Sequence, residues 1–261
     1  MGEIYFSSGS LFLWEKNWWD YLDEILLNPA VSGIQILFTP FSDYILLPAQ
    51  EIIGYIRKHL NIVFHPIFFT EEIAFSHMDE KKIVRLKEIM YKNDIKDIIF
   101  HSNHIFRSDQ LYISKIRKIF SDFDIIIENM GNNTPYGRSI NEIKELLNEY
   151  EQLKVVLDIA HLQELNDGVL NWLNDPLISD KIKYIHLSLS TTVKQSFSKK
   201  LSKEFNTISH VPAFLNHGYP SSKVKKMLSK YPLIMEGCFA FDTKKETRWL
   251  FNETDYLSKW N

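Results

Sequence analysis

Cysteine is almost absent from this chain: Cys238 is the only one in 261 residues. An intramolecular disulfide is therefore excluded, and a reducing compartment is the natural reading. No excess of one charge exists either. Thirty lysines and arginines against 33 aspartates and glutamates leave a formal net charge of −3. DNA is thus a candidate partner that the net charge does not support, and nucleic-acid binding has to rest on local patches. No apolar run approaches the roughly 20 residues of a membrane-spanning helix. The N-terminus lacks a signal-peptide pattern, because Glu3 precedes its apolar residues and Glu15, Lys16 and Asp20 soon follow. A cytoplasmic protein with no membrane partner is expected. Linkers, short-period repeats and low-complexity tracts are missing too, so residues 1–261 are read as one domain.

What the chain does have is alternation. Short β-branched runs at 3–8, 33–39, 61–68, 97–102, 124–130, 154–160, 182–189 and 232–238 read as strands. Helix-period stretches at 14–28, 48–60, 78–93, 108–120, 138–151, 166–174, 221–230 and 243–258 lie between them. Ser108, Ser139 and Ser221 are suited to cap helix starts, and Pro48 to a first turn. Strand and helix units in strict order predict an α/β fold of the (β/α)₈ barrel type rather than an open doubly wound sheet. The longest irregular stretch, 191–220, follows the seventh strand. A loop of that length in a compact domain is more often functional than idle.

Six of the runs end in acidic or histidine residues: NIVFHP, IIFHSN, IIIENM, VVLDIAH, KYIHLSLS and PLIMEG. They deliver His65, His101, Glu128, Asp158 with His161, His186 and Glu236. Side chains on a strand alternate faces. Parity therefore joins Val63 to His65, Ile99 to His101, Ile126 to Glu128, Val156 to Asp158 and Ile234 to Glu236. In the seventh run His186, Ser188 and Ser190 share one face, while Ile185, Leu187 and Leu189 share the face that packs on helices. Each polar residue comes late, which puts it at the C-terminal mouth where barrel enzymes carry their chemistry. The chain must bend after Ala160 for Asp158 and His161 both to face that mouth. A buried carboxylate or imidazole is costly unless it is paired, hydrogen-bonded or bound to a metal. Several meeting in one place imply a shared cation, and oxygen and imidazole donors suit zinc, manganese, iron or cobalt.

In these strand ends the chain resembles the xylose isomerase-like barrel superfamily, which includes endonuclease IV and the sugar isomerases and epimerases. In endonuclease IV-like enzymes, histidines after strands three and four hold one metal, matching His65 and His101. A Glu-Asn pair bridges two metals and matches Glu128-Asn129. A D-x-x-H motif matches Asp158 to His161, an H-L pair matches His186-Leu187, and a last glutamate matches Glu236. The family's D-x-H motif in the loop after strand seven has only Leu215-Asn216-His217 to match it. The histidine is kept and the aspartate lost, and His210 is a second candidate for that role. The sugar isomerases need only Glu128, Asp158, His186 and Glu236. Two features of that class are missing here: an arginine shortly after His186, and a strand-two glutamate, with Gln35 in that region.

The resemblance implies a divalent-metal-dependent phosphoester hydrolase, with an abasic DNA site as a candidate substrate. One to three ions per chain are expected, zinc or else manganese, held by His65, His101, Glu128, Asp158, His161, His186, His217 and Glu236. Glu128, Glu236 and His161 carry the catalytic roles. The alternative is an isomerase or epimerase acting on a sugar or sugar phosphate, and the third reading is a barrel that binds without catalysis. No oligomeric state is implied. Arg107 and Arg138 follow strands four and five, where a phosphate would sit, although solvated helix-start side chains are as good a reading. Lys194, Lys199, Lys200 and Lys203 surround Phe197 in a basic loop of the kind that grips a nucleic-acid backbone, but solvated lysines are commoner. Trp14, Trp18 and Trp19 are read as packing residues, Cys238 as core, and His59 as a surface residue.

Overall fold

The computed structural model describes residues 2–12, 18–39, 46–67, 80–105, 111–132, 134–189, 210–215, 220–237 and 248–260. Parallel strands close into a barrel in chain order: β1 (Ile4–Ser7), β2 (Val31–Phe38), β3 (Asn61–Pro66), β4 (Asp97–His101), β5 (Asp124–Glu128), β6 (Lys154–Asp158), β7 (Ile182–Leu187) and β8 (Leu233–Met235). The expected (β/α)₈ barrel is the fold. Each helix-period stretch contains helix, from Leu22–Leu26 near the start to Arg248–Ser258 at the end. Short helices at Ser102–Ile105, Ile159–Glu164 and Pro176–Lys181 lie outside the expected stretches. They are single turns or little more, too brief to show a helical period.

Local chemistry explains several boundaries. Ser139 and Glu142 form a reciprocal capping box that starts helix Ile140–Glu149. Ser221 caps Ser222–Leu228 as expected. Pro48 is not in a first turn: the helix begins at Gln50 behind an extended Ala49, so the proline stands just outside it. Ser108 lies outside the described residues.

Barrel parity follows the sequence pattern. The outward faces of the strands, with Ile185, Leu187 and Leu189, join the large core shared with the helices. Inside, Tyr5, Val63, Ile99, Ile126, Val156, Tyr184 and Ile234 form a separate buried cluster. Two residues further along each of these strands stand Ser7, His65, His101, Glu128, Asp158, His186 and Glu236. On β2 the same step runs from Gly33 to Gln35; a Cβ on Gly33 would meet the Tyr5 ring at 2.1 Å, so only glycine leaves room there. An apolar plug therefore sits directly beneath a ring of polar side chains. Strand register sets their neighbours: His101 lies opposite Glu128, and Asp158 opposite His186.

Candidate metal centre

Asp158 performs two tasks at once. It ends β6 and caps helix Ile159–Glu164, its Oδ1 accepting the His161 amide at 2.9 Å. The bend therefore comes immediately after Asp158 rather than after Ala160, and the D-x-x-H spacing is that of a cap and its first turn. Asn129 braces the same corner. Its side-chain oxygen accepts the Asp158 amide at 2.7 Å, and its Nδ2 donates to the Asp158 carbonyl at 3.2 Å. The Asn129 carbonyl lies 2.7 Å from His161 Nδ1. A carbonyl only accepts, so Nδ1 carries the proton and the other ring nitrogen keeps its lone pair, the usual arrangement of a ligating histidine.

Gln35 organises the opposite side. Its Nε2 donates to Glu236 Oε1 at 2.7 Å and to Ser7 Oγ at 3.1 Å, which leaves Oε1 to face His186 Nε2 at 2.7 Å. His186 must donate from Nε2, so Nδ1 holds the lone pair. That lone pair points at Glu128 Oε1 and Glu236 Oε2, both 3.2 Å away. Electron pairs facing carboxylates in a buried site repel unless a cation stands between them.

The other expected residues converge on the same place. Glu128 Oε2 lies 3.4 Å from His65 Nε2 and 3.6 Å from His101 Nε2, while its Oε1 lies 3.6 Å from His161 Nδ1. The histidine rings pack against one another, with His65 5.0 Å from His101 and 5.5 Å from His186 between ring centres. Potential ligand atoms come within 4.8 Å of one another in four sets among the described residues. These are His65, His101 and Glu128; Glu128, Asp158, His186 and Glu236; Asp158, His161 and His210; and His65, His186 and Glu236. Buried Glu128 Oε2, Asp158 Oδ2 and His186 Nδ1 have no hydrogen-bond partner among the described residues. Hard oxygens, imidazole nitrogens and orphaned inward-facing atoms fit divalent zinc or manganese.

Electrostatics agree with a site short of positive charge. Burial pushes the Glu236 carboxyl up to about 8, with Glu128 and Asp158 adding to the rise. Burial also drives Glu128 well above the ordinary carboxylate range. Burial acts on Asp158 in the same direction, but His161, His210 and His186 outweigh it and hold this carboxyl low. His161 is the counterpart. Burial disfavours its charge, yet Asp158 and Glu128 raise its affinity for a proton above the usual histidine value. Burial depresses His186, and takes His210 down to about 4.

His210 is one of the two alternatives for the loop ligand, and it stands in the cluster, its ring centre 5.8 Å from that of His161. His217 lies outside the described residues, as do Arg107, Trp14, Cys238 and the basic segment 194–203. Arg138 is exposed, its backbone amide donating to Glu142, and His59 is at the surface against Tyr55. Sequence reasoning misses the role of Gln35, which stands out there only for not being a glutamate. Ser188, 2.7 Å from His210 Nδ1, is legible as inward-facing by parity alone.

No family model and no curated protein matches this chain. Solved structures do. A probable 3-DHS dehydratase, AsbF, from Bacillus anthracis is similar over 100% of both chains, with a TM-score of 0.69 at 15% identity. The IolI protein with a bound zinc atom is similar over 99% of both chains, with a TM-score of 0.66 at 14% identity. Endonuclease IV from Thermus thermophilus is similar over 99% of this chain and 98% of its own, with a TM-score of 0.59 at 15% identity. At such identities the likeness is one of architecture. The chain shares the (β/α)₈ barrel architecture of these structures.

Proposed function

We propose that this chain is a divalent-metal-dependent phosphoester hydrolase working at the C-terminal mouth of the barrel, with an abasic site in DNA as the first substrate to test. The observation that carries the reading is the double use of Glu128. One oxygen faces His65 and His101, the other faces His186 and His161. A one-ion isomerase needs Glu128, Asp158, His186 and Glu236 and has no use for the two extra histidines.

His65, His101 and Glu128 would hold one ion, Glu128, Asp158, His186 and Glu236 a second, and Asp158, His161 and His210 a third. Divalent ions held there would acidify a water and draw charge from a phosphoryl oxygen. The protein's own contribution is orientation and proton transfer. Asn129 and Gln35 lock the tautomers of His161 and His186, so each presents a lone pair rather than an N–H. Both Glu128 oxygens face histidines, and Oε2 has no hydrogen-bond partner among the described residues, whereas Glu236 is steadied through one oxygen by Gln35. Glu236, held through Oε1 by Gln35, is the group we assign to take the proton of the attacking water.

The test is elemental analysis of protein purified without chelator, followed by cleavage of an abasic-site oligonucleotide. Two or three equivalents of zinc or manganese with strand cleavage support the reading. A single equivalent with turnover that survives His65→Ala and His101→Ala would overturn it. That outcome would favour the second reading, a sugar or sugar-phosphate isomerase or epimerase. Its four-residue set is complete here, and Glu128 and Glu236 would exchange the substrate proton.

A further inference from the structure

The described part of the long loop after β7 returns to the barrel at 210–215, and it does so under restraint. His210 has a φ of 73°, the left-handed region that a histidine seldom adopts without support. Three contacts supply that support. Leu189 and Val211 exchange backbone hydrogen bonds of 2.8 Å each way, which aligns the chain just past His210 with the exit of β7. Gly237 lets Pro212 lie against the exit of β8, since a Cβ there would come within 2.5 Å of the proline Cα. The third contact is Glu253, on helix Arg248–Ser258. Its carboxylate accepts the Ala213 amide at 2.9 Å and the Phe214 amide at 3.0 Å. Those amides open the short turn Ala213–Leu215, and Glu253 is fully buried beneath it.

A buried carboxylate with no cationic partner among the described residues is an expensive way to satisfy two amides, and water would serve at the surface. Burial already drives this carboxyl up to about 7, a further sign of that cost. The segment it anchors leads directly back to His210, a histidine that the sequence places outside every strand. On its inner side, Ser188 Oγ meets His210 Nδ1 at 2.7 Å, orienting the ring towards Asp158 and His161.

We propose that Glu253 is a positioning residue for the metal centre: by clamping the Ala213 and Phe214 amides it holds the 210–215 return in the one conformation that presents His210 beside Asp158 and His161. The inference rests on the multi-ion reading given above. Glu253 touches no ligand itself. Its effect passes along the backbone and should reach only the ion position that includes His210.

The experiment compares zinc isotherms of wild type, His210→Ala, Glu253→Gln and the double variant at chelator-buffered free zinc, read by elemental analysis. His210→Ala should lose one equivalent. Glu253→Gln should weaken that same equivalent by about ten- to a hundredfold, the usual effect of disturbing a ligand's support, and leave the others unchanged. The double variant should lose no more than His210→Ala. A wild-type isotherm for Glu253→Gln, or a further loss in the double variant, overturns the inference. Equal zinc in wild type and His210→Ala would instead overturn the assignment of His210 and this inference with it. A buried amide in place of the Glu253 carboxylate can itself disturb folding, so hydrogen exchange on the wild-type chain gives an independent arm. Linkage requires zinc to slow exchange at 210–215 in wild type and not in His210→Ala. Absence of that slowing in wild type overturns the proposal.

Discussion

At the lower end of the barrel, Lys183 Nζ donates to Asp97 and to Asp124 at 2.6 Å each, and the Tyr184 hydroxyl donates to Asp97. Tyr5 completes the group by donating to Glu3 at 2.9 Å. At the upper end, one apolar layer away, Glu128 and Glu236 face the lone pair of His186, and buried atoms of Glu128, Asp158 and His186 lack partners among the described residues. Both ends bury charge. The lower end supplies its own cation and acceptors, so it is complete as folded. The upper end has carboxylates in surplus, and among the described residues only histidines, no lysine or arginine, stand within ion-pair distance of Glu128, Asp158 and Glu236. Buried polar groups in a barrel therefore divide by whether their valences close internally, and the end that does not close is the one built for a ligand.

The largest expected effect breaks the upper end. Glu128→Gln removes the carboxylate shared by two ligand sets, and metal affinity should fall by more than the roughly hundredfold typical of a supporting residue. Turnover should disappear; near-normal activity in this variant would sink the mechanism. At the lower end, Asp97→Ala strands the Tyr184 hydroxyl and leaves Lys183 with Asp124 alone, and should cost about 2 kcal/mol of stability. Urea unfolding of metal-free protein measures that loss, and unchanged zinc stoichiometry would show that the two ends are independent.

A pH series on chelator-treated protein sharpens the same contrast. Glu236 titrates in the folded state at about 8, above its ordinary 4.5, and His161 lies above its ordinary 6.5. Groups raised on folding stabilise fully below their unfolded values, and that contribution is lost as pH rises through the folded ones. Thermal stability of the metal-free chain should therefore fall from about pH 4.5, where the unfolded carboxyl gives up its proton, to about pH 8, where the folded Glu236 does, and level off above that. Lys183 and Tyr184 are raised above 10.5 and 10.0 and stay silent in that window. Zinc binding should release protons over the same range, seen by calorimetry in buffers of different ionisation enthalpy. A flat stability profile would contradict the electrostatic account. The smallest effect is expected from Gln35→Leu, which frees the His186 tautomer. About a tenfold loss of zinc affinity with little change in unfolding midpoint would identify Gln35 as an orienting group.

Much of this site is legible because a strand repeats every two residues and the barrel converts that repeat into inside and outside. Parity assigns Val63, Ile99, Ile126, Val156 and Ile234 to the inner face with His65, His101, Glu128, Asp158 and Glu236, and the inner cluster contains all of those apolar residues. The bend near Asp158 comes earlier than the pattern suggests. An apolar Ile159-Ala160 pair continues a strand pattern on paper, whereas the Asp158 cap turns it into a helix. The sequence leaves His210 undecided against His217, because no periodicity governs a loop. Its place depends on the bridge to Leu189 and on Glu253, 40 residues beyond the Ala213 amide that it holds.

The sequence by itself determined the eight-fold alternation, the face on which each strand-end acid or histidine stands, and their position late in each run. Those properties depend on periodicity within short segments, and short segments carry their own instructions. Tertiary structure alone decided which oxygen meets which nitrogen, that Gln35 and Asn129 fix the ring tautomers, and that His210 joins the cluster. It also decided that Asp97 is balanced by Lys183 while Glu128 is left to its histidines. These depend on barrel stagger and on contacts between residues far apart in the chain, distances that no local pattern encodes.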